Sequence, residues 1–376
     1  MNKNMHKNLI SLGLMSGTSG DGVDASVIET NGIDHYESIK DKYFEYDTEI
    51  YEDIHNLKEK IHKIEHLKSY EKEINILERK ITIFHSKVIN DLKLNDETIV
   101  GFHGQTIYHN FSEKISKQLG NGKLLNQLTK KKIVYNFRKN DILNGGQGAP
   151  LSPLFHHLIS LKNKFKLPTC FLNIGGISNI TIVKKLNNFN EIISQDLGPG
   201  NCLIDNWVRK NSNKKFDQDG NFANSGNKNE IFFEQAQELY LNSKNKKKLS
   251  FDTNDFDVSF MRGLNLEDGV TTLTDFTASI IGEELSLILK KLKIDIKEVL
   301  LCGGGRKNKV LIKKIKENLF HDVSLKPIDD YKINGDFIES QAFAFLAVRT
   351  ILGLPITFPS TTGCKRACIG GDYISN

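Results

Sequence analysis

An almost unbroken apolar run, "NLISLGLM" (Asn8–Met15), leads into the polar, glycine-rich "SGTSGDG" and then "VDASVIET", where Val23, Ala25 and Val27 alternate with polar neighbours. The first segment reads as a buried strand and the last as a half-buried one. Asp21-Gly22 between them suits a hairpin, because glycine supplies the positive φ that such turns need. "HYESIKDKYFEY" offers a third strand. From Glu49 to about Leu94 the period changes, and Ile50, Ile54, Leu57, Ile61, Ile64, Leu67, then Ile74, Leu77, Ile81, Phe84 and Val88 recur at helical steps. This predicts one or two long amphipathic helices lying on a sheet rather than a coiled-coil seam, since the pattern lapses at Ser69 and Tyr70.

"ETIVGFHGQTIYH" gives a strand ending in the polar cluster His103, Gly104, Gln105 and Thr106, and "KKIVYNF" gives another. "RKNDILNGGQGAP" reads as a long polar loop before a helix opened by prolines, which suit a first turn. After a hinge expected at Lys166–Pro168 the arrangement begins again: "TCFLNIGG" and "ISNITIV" are strands around a glycine turn, "EIISQDLGPGN" is strand then turn, and "CLIDNWVRK" is helix. Strand, glycine turn and strand thus open each half, around Gly17 and again around Gly175, as a weak internal repeat. "VLLCGGGRKNKVLIKKIKENL" predicts strand, triple-glycine turn and helix, and "IESQAFAFLAVRTILGLP" a helix ended by Gly353 and Pro355.

Length and charge narrow the class. At 376 residues the chain exceeds a comfortable single core, since cores stop growing near roughly 250–300 residues. Two domains are expected, 1–168 and 169–337, with part of 338–376 completing the first. The net charge of +5 is spread along the chain rather than gathered in a stripe, which argues against nucleic acid. The densest basic run, Lys244–Lys248, lacks interleaved aromatics and reads as a solvated loop. Five cysteines are scattered without a C-x-x-C pair, so neither a disulfide framework nor a structural zinc site is expected, and a reducing, cytoplasmic setting fits. No run approaches the roughly 18 apolar residues of a membrane span. The short apolar stretch after "MNKNMHK" reads as a mature strand rather than an export signal.

The opening loop is neither a Walker A motif nor a dinucleotide fingerprint: Val23-Asp24 stands where Lys-Ser or Lys-Thr would be needed, and the loop leads into a strand. Gly17, Gly20 and Gly22 let backbone amides approach an anion, Thr18 and Ser19 add hydroxyls, and Asp21 or Asp24 suits Mg²⁺ beside phosphate oxygens. The same residues also make a plain β-turn, and local chemistry leaves both readings open. Two further glycine turns, "NIGGISN" and "CGGGRKN", favour a nucleotide held between two similar domains. Asp196, placed at a strand end before Gly198-Pro199-Gly200 and a helix beginning near Asn201, would sit beside helix N–H groups, either as a general base or as a carboxylate serving its own turn. Glu339 is either a helix-start carboxylate or a substrate contact. His103, His156 and His157 lack metal-ligand spacing.

Together "MSGTSGDGVDA", "GFHGQT", "RKNDILNGGQGAPLSPLFHH", "LNIGGISNIT", "DLGPGNCLIDNW", "CGGGRKN" and "ESQAFAFLAVRTILGLPITFPSTTG" resemble the anhydro-N-acetylmuramic acid kinases, from near Leu12 to near Gly371. The resemblance implies an α/β actin/Hsp70/sugar-kinase fold, two ribonuclease-H-like domains with ATP between them. It also implies a reaction in which ATP and water convert 1,6-anhydro-N-acetylmuramic acid into N-acetylmuramic acid 6-phosphate during cell-wall recycling. By motif, Gly17, Thr18, Ser19, Gly20, Asp21, Gly22, Val23 and Asp24 would form the ATP phosphate loop, with Asp21 or Asp24 on Mg²⁺. Asp196 would activate the water. His103, Gln105, Thr106 and Glu339 would contact the sugar, and Gly303, Gly304 and Gly305 the nucleoside. The partners expected are the small sugar and, as one option for assembly, a second copy in a homodimer, with neither nucleic acid nor membrane. Two departures stand out: Thr253 occupies a position where many members have Arg, and Leu197 follows Asp196 where Thr is usual.

Overall fold

The structure, a computed structural model, describes residues 7–244, 251, 256–320 and 322–375. Residues 245–248 of the basic run and residues 252–255, which include Thr253, lie outside the described residues. The chain divides into two compact units, one of Met1–Phe165, Lys185–Ile193 and Phe337–Asn376, the other of Lys166–Lys184 and Ser194–Asp336.

The first unit opens with β1 (Leu9–Ser16), β2 (Gly22–Thr30) and β3 (Tyr36–Glu45), followed by α1 (Thr48–Lys58), α2 (Ile64–Ser69) and α3 (Glu71–Asp91). It continues through β4 (Ile99–Asn110), β5 (Ile115–Leu119), α4 (Gly122–Thr129), β6 (Lys132–Tyr135), α5 (Lys139–Leu143) and α6 (Pro153–Asn163). The second unit contains β7 (Thr169–Ile174), β8 (Ile177–Val183), most of β9 (Ile192–Pro199), α7 (Cys202–Asn211), α8 (Asn221–Ser225), α9 (Glu230–Lys244), α10 (Leu266–Leu292), β10 (Glu298–Cys302), α11 (Lys309–Glu317) and β11 (Ser324–Pro327). The chain then returns to the first unit with α12 (Ile338–Ile351), α13 (Pro359–Thr362) and β12 (Asp372–Ile374).

Both sheets share one plan. In the first, the order is β12-β6-β4-β1-β2-β3, with β5 added to β4. Strands β1, β2 and β3 are antiparallel neighbours, whereas β4 runs parallel to β1 and to β6. In the second, the order is β11-β10-β7-β8-β9, with β7 antiparallel to β8 and β10 parallel to both β7 and β11. Numbered within its unit, the second sheet reads third, second, first, fourth, fifth, the ribonuclease-H-like order, and the first reads the same once β5, which pairs only with β4, is set aside and β12 is taken as an addition beyond β6. The repeated strand–turn–strand of the sequence is therefore the first hairpin of each sheet.

The helical periodicity of residues 49–94 has a direct consequence in packing. Ile50, Ile54 and Leu57 of α1 and Ile74, Leu77, Ile81 and Val88 of α3 are buried in one cluster with Leu12, Leu14, Val100 and Phe102 of the sheet. The lapse at Ser69 and Tyr70 is the break between α2 and α3. On the sheet's other helix, α12, the approach is close enough to require glycine: a Cβ at Gly13 would lie 1.8 Å from the Ser340 carbonyl oxygen, and one at Gly101 would lie 2.2 Å from that of Phe343. The second unit buries Leu203, Trp207, Tyr240, Phe251, Met261, Val270, Leu273 and Phe276 together.

Three expectations need correction. Strand β4 does not end at His103–Thr106 but runs on to Asn110, because β5 folds back and pairs with it from Gln105 to Asn110. The loop after β6 contains the short helix α5, whose Asp141 carboxylate accepts from the Gly148 amide at 2.7 Å and the Thr362 hydroxyl at 2.7 Å. A single division after residue 168 also misses Lys185–Ile193, which belongs with the first unit. There the Leu186 carbonyl faces His157 Nε2 at 2.9 Å, and the Phe189 ring packs on His157 and Phe358. Among the described residues no helix is long and apolar enough to cross a membrane.

Candidate active site

The β1–β2 hairpin is a turn whose carbonyls are drawn back into the protein. Gln105 Nε2 donates to the Gly17 carbonyl at 2.9 Å, Lys58 Nζ donates to that of Thr18 at 2.8 Å, and His55 Nε2 lies 3.0 Å from that of Ser19. The Gly20 amide closes the turn onto Gly17 at 3.2 Å, with Gly20 at φ +64°. The Thr18 and Ser19 amides have no hydrogen-bond partner among the described residues, and Thr18 is exposed. Carbonyls occupied by side chains beside amides left without a partner are what a nest that takes an anion requires. Beneath the hairpin the Ser16 and Tyr46 hydroxyls are 2.7 Å apart, and the Tyr46 amide donates to the Asp21 carbonyl at 2.9 Å. His85, fully buried, places Nε2 3.5 Å from Ser16 Oγ, and burial holds its pKa down to about 4.

Asp21 accepts from the Ser19 hydroxyl at 2.6 Å. Burial and the nearby charges of Asp21, Glu45 and Asp24 push the Tyr43 phenol pKa up. Asp21 and Asp24 carry hard oxygen donors of the type Mg²⁺ prefers, although among the described residues they do not belong to a ready-made cluster of three metal-ligating side chains.

On β4 a bulge re-aims His103. Leu14 pairs with Phe102 and Met15 with Gly104, so His103 is the extra residue, and Gly104 has φ +77°. His103 is buried, with Nδ1 2.9 Å from the Gly104 carbonyl and Nε2 facing Arg138. Burial, and then the Arg138 charge, hold its pKa well below the ordinary histidine value. Glu339 shares this neighbourhood: burial raises its carboxyl pKa, and the Arg138 charge opposes that rise. Gln105 is fully buried; its NH₂ reaches the Gly17 and Thr106 carbonyls, and its Oε1 has no hydrogen-bond partner among the described residues. Thr106 Oγ1 accepts from Gln118 at 3.2 Å. Arg138, and His109 whose buried Nε2 also lacks a partner among the described residues, carry no sequence signal as strong as the glycine motifs. Arg138 looked like one charge in a polar loop, although its position directly before "KNDIL" at a strand end was a usable signal.

In the second unit, Asp196 lies within β9 rather than at its end and is half-buried. The amides that open α7 are engaged with the neighbouring hairpin. The Gly200 and Cys202 amides donate to the Gly176 carbonyl, and the Asn201 amide donates to that of Gly175 at 2.7 Å. Asp196 Oδ2 instead accepts from the Phe251 amide at 2.9 Å. Leu197 is buried, and its carbonyl accepts from Tyr240 at 2.8 Å. The triple glycine serves packing first: a Cβ on Gly303 would lie 2.5 Å from Asn173 Oδ1, and one on Gly305 would lie 2.3 Å from Ile174 Cγ2. Gly304 alone of the three is exposed and open. His156 and His157 are buried on α6, where burial holds the pKa of His156 down to about 3.

The strand order of both sheets and the glycine hairpin of the first place the chain in the class of ATP-using kinases built on the actin/Hsp70/sugar-kinase fold. The family model for anhydro-N-acetylmuramic acid kinase matches residues 9–375. The chain is 53% identical to the anhydro-N-acetylmuramic acid kinase of Pelagibacter ubique (strain HTCC1062), covering 99% of this chain and 100% of that one. It is 33% identical to the enzyme of the same description from Zymomonas mobilis subsp. mobilis, covering 96% and 99%. The chain belongs to the anhydro-N-acetylmuramic acid kinase family and is a phosphotransferase. Overlay on the (R)-2-hydroxyglutaryl-CoA dehydratase component A of Acidaminococcus fermentans covers 92% of this chain and 99% of that one, at 12% identity and a TM-score of 0.43. The fold assignment therefore rests on strand order and family membership.

Proposed function

We propose that the protein opens 1,6-anhydro-N-acetylmuramic acid with water and transfers the γ-phosphoryl group of ATP to the freed O6, giving N-acetylmuramic acid 6-phosphate and ADP. The observation that carries this reading, beside family membership, is the hairpin whose Gly17, Thr18 and Ser19 carbonyls are all tied back by side chains. That arrangement supports phosphate binding through the Thr18 and Ser19 amides, where oriented dipoles stabilise transferring charge. Mg²⁺, when bound with ATP, would neutralise phosphate charge, and Asp21 or Asp24 is the residue to hold it.

Asp196 is the general base in this reading. Its carboxylate takes a proton from water as the water oxygen bonds to C1 and the C1–O6 bond breaks. O6 then bonds to the γ-phosphorus, and the oxygen bridging to the β-phosphorus leaves with ADP. The Phe251 amide on Oδ2 supports the role by fixing the orientation of the carboxylate. His103, Gln105, Thr106 and Glu339 are the sugar contacts, and Gly304 lies against the nucleoside.

A coupled ADP-release assay with and without the anhydro-sugar tests the reaction. Sugar-dependent ADP release is expected, and its absence would overturn the assignment. Asp196→Asn should lose turnover by about 10²–10⁴-fold, the usual worth of a general base, while ATP still binds. Undiminished turnover would remove Asp196 from the mechanism.

A further inference from the structure

Apart from these residues, the first unit brings together three metal-ligating side chains that the proposed reaction does not use. Asp141 on α5 and Cys364 and Cys368 from the segment between α13 and β12 place one carboxylate oxygen and two sulfur atoms within 4.8 Å of one another. All three residues are at least nine-tenths buried. We infer that Asp141, Cys364 and Cys368 form a binding site for a borderline-soft divalent cation of the zinc class.

The donor set selects the ion. Two thiols and one carboxylate suit zinc or cadmium, whereas Mg²⁺ and Ca²⁺ take oxygen shells. Tetrahedral zinc with bonds near 2.3 Å sets its sulfur ligands roughly 3.8 Å apart, so the cluster needs only a small contraction. Cys364 and Cys368 are separated by three residues, within the spacing of paired zinc cysteines.

Two further features support a cation rather than a simple packing of thiols. Asp141 is 1% exposed, and among the described residues no basic side chain forms an ion pair with it. A buried carboxylate with only neutral donors is costly and is relieved by a cation. Its orientation is fixed as that of a metal-binding carboxylate should be: the Gly148 amide holds Oδ2, and the Thr362 hydroxyl holds Oδ1. The cysteine backbones are held as well. Cys368 pairs with Thr357 through a two-way backbone bridge, and the Lys365 amide donates to the Asn144 carbonyl at 3.0 Å. A bound cation would clip this C-terminal segment to α5, which begins one residue after Arg138.

The test uses the full chain, reduced with a phosphine and stripped with a chelator, and titrated with Cd²⁺ as the optical analogue of zinc. Saturation at one cadmium per chain is expected, with a near-ultraviolet thiolate-to-metal band that zinc competes away and an unfolding midpoint raised by zinc. The band should be lost in Cys364→Ser and Cys368→Ser and kept in Cys202→Ser. Asp141→Asn should weaken zinc binding at least ten-fold. No band in the reduced wild type, or a band that survives both Cys364→Ser and Cys368→Ser, would overturn the site. A Cys364–Cys368 disulfide that resists the phosphine and blocks uptake would do the same.

Discussion

Arg138 donates from both Nε and Nη2 to the single Nε2 of His103, at 3.1 and 3.0 Å. Because that nitrogen accepts, the ring carries its proton on Nδ1, which faces the Gly104 carbonyl at 2.9 Å. The pair is thus a neutral imidazole with a fixed tautomer under a guanidinium. It presents a cation, rather than a histidine base, toward a polar ligand.

On the proposed function, that makes Arg138, and not His103, the cation of the cluster assigned to the sugar. Arg138→Gln keeps a donor for His103 but removes the charge and the fork geometry. Charged hydrogen bonds are worth about 1.5–3 kcal/mol, so KM for the anhydro-sugar should rise by about ten- to a hundred-fold. KM for ATP should stay within about two-fold, on the same scale. Steady-state kinetics with each substrate varied separates the two, and an equal rise in both would show that Arg138 acts by general stability.

How much of this was legible in the sequence depends on distance along the chain. The β1–β2 hairpin was readable because "GTSGDGVDA" is contiguous and its turn chemistry is local. The α1 and α3 stripes were readable because burial imposes its period on neighbouring residues. His103–Arg138 and Asp141–Cys364–Cys368 were not readable from spacing, since each joins segments that meet only after the sheet has formed. Asp196 was singled out by its motif, but the Phe251 amide that its carboxylate accepts from is 55 residues away and could not be read from neighbouring positions.

The hairpin network predicts a split in substrate effects. Tyr46→Phe removes the hydroxyl beside Ser16 but keeps the Tyr46 amide on the Asp21 carbonyl. Losing one neutral buried hydrogen bond costs about 1 kcal/mol. If the loss falls on the ATP-binding arrangement of the hairpin, KM for ATP rises about five-fold. KM for the sugar should be unchanged. Nucleotide affinity measured by calorimetry provides a second readout, and unchanged affinity would separate Tyr46 from phosphate binding.

Stability should fall on mild acidification, and the sign follows from the buried histidines. Burial lowers His85 to about 4, and His109 and His156 each to about 3, from an ordinary value of 6.5. Below pH 6.5 the unfolded chain binds protons that the folded chain refuses, so stability present at neutral pH is lost as pH drops toward 4. Each such histidine adds up to about 1.4 kcal/mol per pH unit in that window. Urea midpoints from pH 7.5 to 5 should decline, and His156→Gln should flatten the decline. A flat profile in the wild type would show that these rings are hydrated.

Gly200 is where the second unit's hairpin meets the start of α7, and its substitution gives the sharpest structural test there. A Cβ at this position would lie 2.2 Å from the Gly175 carbonyl oxygen, far inside contact distance, and both atoms belong to backbone. Relief requires moving the Gly200, Asn201 and Cys202 amides off the Gly175 and Gly176 carbonyls, where they now make three hydrogen bonds. Gly200→Ala should therefore destabilise by about 1–3 kcal/mol, the range for forced overpacking. It should also lower turnover, because β9 carries Asp196 four residues before Gly200. Chemical denaturation read beside kcat measures both effects. A variant with wild-type stability would show that the hairpin and α7 separate without cost, and would remove this hairpin from the positioning of Asp196.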